Sequence, residues 1–171
     1  RERVFISLFS LANMANETFR FGQHIIIKAS VVFFRSKLSI GFVNIKPIVQ
    51  GHVLLAPSRI VERFRDLTPD EVSDLFLSTQ QISSVIEREF GATSLTVALQ
   101  DGPEAGQTVP HVHVHVIPRK KGDFQKNDDI YNVLQNHDKD SNLLDDMDGT
   151  RKLRSEEEMT VEARWLAKFF E

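Results

Sequence analysis

The hydrophobic pattern changes character along the chain. From Phe19 to Pro57, short apolar runs follow one another: Phe19-Arg20-Phe21, Val31-Val32-Phe33-Phe34, Ser39-Ile40-Gly41-Phe42-Val43 and His52-Val53-Leu54-Leu55-Ala56. Their lengths and their β-branched and aromatic content predict strands. Lys46-Pro47 and Gln50-Gly51 punctuate the last two as a hairpin-like connection. The period then lengthens. Thr68-Pro69-Asp70-Glu71 offers an N-cap Thr, a Pro at the first helical position and a Glu at the third, which is a capping box. Leu67 and Val72 flank it as a hydrophobic staple. Val72, Leu75, Phe76, Thr79, Ile82, Val85, Ile86 and Phe90 recur at helical steps before Gly91, predicting a helix over 69–90 that packs its stripe on a sheet.

Two more strands are expected, at Ser94–Leu99 and Pro110–Pro118, separated by the turn-rich Gln100-Asp101-Gly102-Pro103-Glu104-Ala105-Gly106-Gln107. Residues 122–154 are polar and read as a mobile surface excursion. Asp138-Lys139-Asp140-Ser141-Asn142 opens like a calcium loop, but Leu143 sits where such a loop requires Gly. Ser155-Glu156-Glu157-Glu158 is a second capping box, and it starts a helix with Met159, Ala163, Leu166 and Phe170 on one side. Strands and helices without strict alternation predict an α+β fold, an antiparallel sheet of about five strands with two main helices.

Length and composition narrow the class. The 171 residues suit one domain, and 41% hydrophobic against 26% charged residues is a globular mixture. There is no cysteine, which excludes thiol nucleophiles, disulfide scaffolds and Cys-ligated metal. A net charge of -3 supplies no basic field for nucleic acid, and no apolar run approaches the ~20 residues of a membrane span. Val4-Phe5-Ile6-Ser7-Leu8-Phe9 follows Arg1-Glu2-Arg3, so residues 1–18 are expected to be a leader or the seam with an upstream segment, and residues 19–171 the domain. Asn16-Glu17-Thr18 matches a glycosylation sequon.

Half of the six histidines fall in His111-Val112-His113-Val114-His115-Val116-Ile117. A strand has period two, so the three imidazoles share one face, about 7 Å apart by the strand rise, and the valines share the other. The Val face would dock on helices and the His face would line a cleft. Two such His can share a zinc with a ligand from elsewhere, but parallel side chains of one strand converge poorly on an ion, and the strand has no Asp or Glu. Half-buried packing histidines are a second possibility. A third is nucleophilic catalysis at phosphorus, in which a central neutral imidazole attacks, one neighbour fixes its tautomer and the other assists the leaving oxygen. Gly106-Gln107-Thr108 could aim backbone N–H groups and a hydroxyl at an anion, and Arg119, Lys120 and Lys121 could receive further phosphates.

His111-Val112-His113-Val114-His115-Val116-Ile117 matches the His-φ-His-φ-His-φ-φ motif (φ apolar) of the histidine triad superfamily. Phe21-Gly22-Gln23-His24, Val43-Asn44-Ile45-Lys46-Pro47, Gly51-His52-Val53-Leu54, Gln100 through Val109 and Gly122-Asp123-Phe124 resemble its fragile histidine triad branch, which contains the diadenosine triphosphate hydrolases. The resemblance covers residues 19–137 closely, and Ile25-Ile26-Ile27 runs one residue longer than the branch pattern.

The resemblance implies an α+β fold whose sheet continues across a homodimer, and hydrolysis of diadenosine triphosphate to AMP and ADP through a covalent His–AMP intermediate. His113 would be the nucleophile, His115 the residue at the scissile phosphate and leaving group, and His111 and His52 the residues that orient and polarise them. Asn44 would bind the ribose, with His24, Gln100, Gly106, Gln107, Thr108 and Val109 as further substrate contacts. No protein-ligated metal or tightly bound cofactor is expected, only Mg²⁺ or Mn²⁺ accompanying the polyphosphate. The expected location is the cytoplasm, with the nucleus and mitochondrion as alternatives, and neither nucleic acid nor membrane is an expected partner. Members of the branch are associated with tumour suppression, and Tyr131 matches a position linked to that role. The alternatives are a binding module whose nucleotide complex is the output, and hydrolysis of another nucleotide such as a cap remnant or a phosphoramidate.

Overall fold

The computed structural model describes residues 17–137 and 153–171. The apolar leader, Asn16 of the sequon and the Asp-rich stretch from Asp138 to Asp148 lie outside the described residues. Among the described residues seven strands and three helices form; the strands are β1 (Thr18–Phe21), β2 (Ile25–Lys28), β3 (Val32–Arg35), β4 (Ser39–Val43), β5 (Val53–Pro57), β6 (Ser94–Ala98) and β7 (Val114–Arg119). The helices are α1 (Pro69–Glu89), α2 (Asp129–His137) and α3 (Glu156–Ala167). The main sheet has the order β3-β4-β5-β7-β6 with every neighbouring pair antiparallel, so the α+β expectation holds.

The inner strands β4, β5 and β7 are buried along their whole length, which explains their nearly unbroken apolar runs. On β5, Val53 and Leu55 join the main core beneath the helices, while Leu54 and Ala56 pack into a second cluster with Phe21, Ile40 and Phe42. The second cluster is capped by β1 and β2, a separate two-stranded hairpin. Only its first strand was anticipated. The Ile-rich β2 is exposed along most of its length, so it lacks the alternation that marks a half-buried strand.

Helix α1 forms as its capping box dictates. Thr68 accepts from the Glu71 backbone N–H at 3.3 Å, and the Glu71 carboxylate accepts from the Thr68 N–H at 2.8 Å. Leu75, Ile82, Val85 and Ile86 are buried against the sheet. The approach is close at β4: a Cβ on Gly41 would lie 2.9 Å from Ile82 Cδ1 and 3.2 Å from Phe34 Cβ. Helix α3 starts at the second capping box, at Ser155, and carries the chain back to β3, where Phe170 packs edge-on against Phe34 at 5.0 Å.

Two expectations need correction. The strand expected at Pro110–Pro118 begins only at Val114, because the approach to it is held elsewhere: the His111 N–H bonds Val109 O at 2.7 Å, and the Val112 N–H bonds Val61 O at 2.6 Å. Pro118 is tolerated inside β7 because β5 pairs only with residues 114–116, which leaves Pro118 on a locally free side. The polar excursion over 122–154 contains a third helix, α2. Its Ile130 and Leu134 bury against Ile117, and that contact is invisible in a largely polar stretch.

Candidate active site

The side chains of His111, His113 and His115 lie opposite the valines, which sit in the main core. All three imidazoles, with His52 just before β5, are nearly inaccessible, at 2% exposure or less. Tautomers follow from the partners, since a neutral imidazole donates at one nitrogen and accepts at the other. The Gly22 N–H donates to His111 Nδ1 at 3.0 Å, so the His111 proton resides on Nε2 and is given to Pro57 O at 2.9 Å. Burial pushes the His111 pKa below the usual imidazole value, with the neighbouring His113 adding to the shift and the Pro57 carbonyl opposing it. Neutral His111 is thereby favoured.

The His113 Nδ1–H donates to His111 O at 2.7 Å, which leaves a lone pair on Nε2. At His52 the direction is set from below: the Ile48 N–H donates to Nδ1 at 3.1 Å, so the proton sits on Nε2 and is given to His115 Nδ1 at 3.0 Å. Asn44 Nδ2 lies 3.4 Å from the same His52 nitrogen, but both groups carry protons, so this approach does not set the tautomer. Neutral His115 therefore carries its proton on Nε2. The ring centroids of His113 and His115 are 5.0 Å apart, closer than the about 7 Å of a two-residue strand repeat, so the rings lean together. The pair presents one nucleophilic nitrogen beside one donor, the combination a displacement at phosphorus uses. No cluster of His, Asp and Glu fit to hold a metal ion occurs among the described residues.

An apolar cavity of about 320 Å³ adjoins the histidines. Phe21 lines it and packs edge-on against His113 at 5.1 Å. Asn44 lines it too, its Oδ1 accepting from the Lys46 N–H at 2.9 Å, and Val109 closes another side. His24 is exposed in the β1–β2 turn whose Gly22 amide holds His111.

The 100–109 loop is arranged differently from the anion cradle expected there. The Gly106 N–H bonds Pro103 O at 3.0 Å and the Gln107 N–H bonds Gly102 O at 3.1 Å, so both close the loop on itself. The Gln107 amide is likewise a brace, accepting from the Gly102 N–H and donating to Glu62 O. Gly106 has φ +90°, and a Cβ there would lie 2.5 Å from Gln100 Nε2, so glycine lets the Gln100 amide fold over the turn. Gln100 donates to Ala105 O at 2.8 Å, and its buried Oε1 has no hydrogen-bond partner among the described residues. Thr108 is exposed. Arg119 is committed to structure, paired with Asp123 at 2.6 Å and bonded to Thr96 at 3.0 Å, while Lys120 and Lys121 are exposed. Tyr131 is exposed on α2, away from an irregular loop.

Sequence reasoning did not anticipate the backbone groups of Ile48 and Pro57 that fix the tautomers. Any residue can supply a main-chain group, so nothing in the composition marks these positions.

A fold with a paired, tautomer-locked row of histidines beside a nucleoside-sized cavity defines the histidine triad class. The HIT domain model matches residues 27–122, and the chain belongs to the HIT domain family. A protein of Arabidopsis thaliana named bifunctional bis(5'-adenosyl)-triphosphatase/adenylylsulfatase FHIT is 49% identical over 140 residues, 82% of this chain and 78% of its own. An asymmetrical bis(5'-nucleosyl)-tetraphosphatase of Schizosaccharomyces pombe is 46% identical over 164 residues, 82% of this chain and 89% of its own. The crystal structure of Plasmodium falciparum diadenosine triphosphate hydrolase in complex with cyclomarin A superimposes with a TM-score of 0.71 at 32% identity, over 92% of this chain and 87% of that one.

Proposed function

We propose that the chain is a dinucleoside polyphosphate hydrolase that cleaves diadenosine triphosphate to AMP and ADP. One observation carries the mechanism: His113 gives its Nδ1 proton to the His111 carbonyl, so Nε2 holds a lone pair beside His115. One nucleoside would occupy the apolar cavity, with Asn44 at the ribose and Val109 against it. His113 Nε2 then forms an N–P bond to the α-phosphorus as the bond to the ADP oxygen breaks. His115, holding its proton on Nε2, donates to that oxygen. Water next attacks the His113–AMP adduct and returns a proton to His115 as AMP leaves. His24, Gln100, Gly106, Gln107 and Thr108 would contact the leaving nucleotide, and the loop bonds of Gly106 and Gln107 would have to exchange for any direct phosphate contact. Mg²⁺ or Mn²⁺ riding on the polyphosphate would shield its charge.

The homodimer would form along β6, an edge strand with exposed Val97, next to α1 with exposed Phe76 and Leu77. A Val97→Lys variant running at half the wild-type mass in solution would support that interface; an unchanged mass would exclude it.

The test of the activity is incubation with dinucleoside polyphosphates of different lengths, followed by a denaturing quench at alkaline pH, where an N–P bond to histidine survives. AMP and ADP from diadenosine triphosphate, with label retained on His113, are the expected products. Turnover without a trapped adduct would sink the two-step route. The cavity has room for one nucleoside, so the leaving group lies outside it and other groups could be accepted. That favours adenylyl sulfate and adenosine phosphoramidate as second substrates in the same assay.

A further inference from the structure

The cavity beside the triad is apolar along its middle and polar at both ends. At the inner end Asn44 reaches toward His52. At the other end stand Lys28 and Glu156, whose Nζ and Oε2 are 2.6 Å apart. Among the described residues these two are the only charged side chains lining the cavity, and Asn44 is the only other polar one. Hydrogen-bond selectivity in a mainly apolar pocket comes from such isolated polar groups. Both side chains are about half exposed, and an exposed ion pair contributes little to stability.

The spacing fits a nucleotide. The turn leading into β2 carries Gly22, whose amide holds His111, and β2 ends at Lys28. Four residues of strand separate His24 from Lys28, roughly 13 Å and close to the length of a nucleoside monophosphate. A phosphate at His113 with its ribose at Asn44 would leave the base to extend along β2 toward Lys28 and Glu156, which line the same cavity as Asn44. Glu156 comes from the first turn of α3, next to Met159, which also lines the cavity. The C-terminal helix thus supplies part of the wall.

We infer that Lys28 and Glu156 form an adenine-selective reader at the mouth of the base cavity, with Glu156 accepting from the exocyclic amino group and Lys28 donating to the neighbouring ring nitrogen. This rests on the proposal that the cavity seats the nucleoside. Hypoxanthine presents the opposite pattern, an acceptor at the 6-position and a donor at the adjacent nitrogen, so it meets like against like. Pyrimidines are too short to reach.

Equilibrium binding of AMP and IMP to the full chain tests this without requiring turnover. Wild type should bind AMP about tenfold more tightly than IMP, the order expected for one charge-assisted hydrogen bond at a partly solvated site. K28M and E156Q should each lower the ratio severalfold. The exchanged variant, K28E with E156K, keeps an ion pair but inverts donor and acceptor, and should prefer IMP. A ratio unchanged across the variants, a return to AMP preference in the exchanged variant, or no preference in wild type would each overturn the inference. Hydrolysis of diadenosine triphosphate, measured alongside, separates the two readings. Absent turnover with the AMP preference intact sinks the enzymatic proposal and leaves the reader standing.

Discussion

His113 Nδ1 lies 2.7 Å from the carbonyl oxygen of His111, so one member of the triad sets the protonation of the next through its backbone. The bond directs the His113 lone pair to Nε2 whatever residue occupies the 111 side chain. His113→Asn should lose turnover of diadenosine triphosphate by about 10⁵-fold or more with the circular dichroism spectrum unchanged, since removing a nucleophile costs factors of that order. Activity within tenfold of wild type would exclude His113 as nucleophile.

His52 acts on His115 from just before β5, and Ile48 fixes the direction of that bond. In His52→Ala, His115 would be free to take the other tautomer, with its proton on Nδ1 and none for the leaving oxygen. We expect kcat to fall about 10²-fold or more, on the scale of a general-acid contribution. The loss should shrink for substrates whose leaving group needs no proton. An equal loss for good and poor leaving groups would argue against this role.

Glu71 joins two parts of the scaffold. Its carboxylate completes the α1 capping box and accepts from Arg59 Nε at 2.7 Å and Nη2 at 2.6 Å, while the Arg59 carbonyl lies 3.2 Å from His111 Nε2. The bond to Arg59 holds the Glu71 pKa down to about 2, from an ordinary 4.5. A depressed folded value means that this stabilisation is fully present above pH 4.5 and is lost as pH falls toward 2. Glu71→Gln should therefore flatten the fall in Tm between those limits. A parallel fall in wild type and variant would refute the assignment.

Removing the cap itself is a separate test. Thr68→Ala should cost about 1 kcal/mol in chemical denaturation, the usual worth of an N-cap side chain.

At Gly41 the helix and sheet meet without space for a methyl group, against Ile82 and Phe34. Gly41→Ala should destabilise by about 1–3 kcal/mol, as overpacked cores do. Adding Ile82→Val should restore part of that loss. Additive losses in the double variant would show that the strain lies elsewhere.

Much of the scaffold is local in origin and was legible for that reason. The boxes at Thr68-Glu71 and Ser155-Glu158 fix their helix starts within four residues, and the period of two places His111, His113 and His115 opposite the valines. The row of histidines and the Gln100–Val109 loop also carried the family assignment. Local reading failed at α2 and β2, where a few apolar side chains count only because Ile117 or Phe42 waits across space.

The sequence by itself determined which side chains could do chemistry and which way they alternate, because those properties depend on residue type and on neighbours a few positions away. The tertiary structure alone decided which nitrogen carries each proton and what closes the cavity. Those outcomes rest on contacts between Gly22 and His111, 89 residues apart, His52 and His115, 63 apart, and Lys28 and Glu156, 128 apart. A hydrogen bond depends on distance in space, and separations of that size leave no periodic trace along a chain.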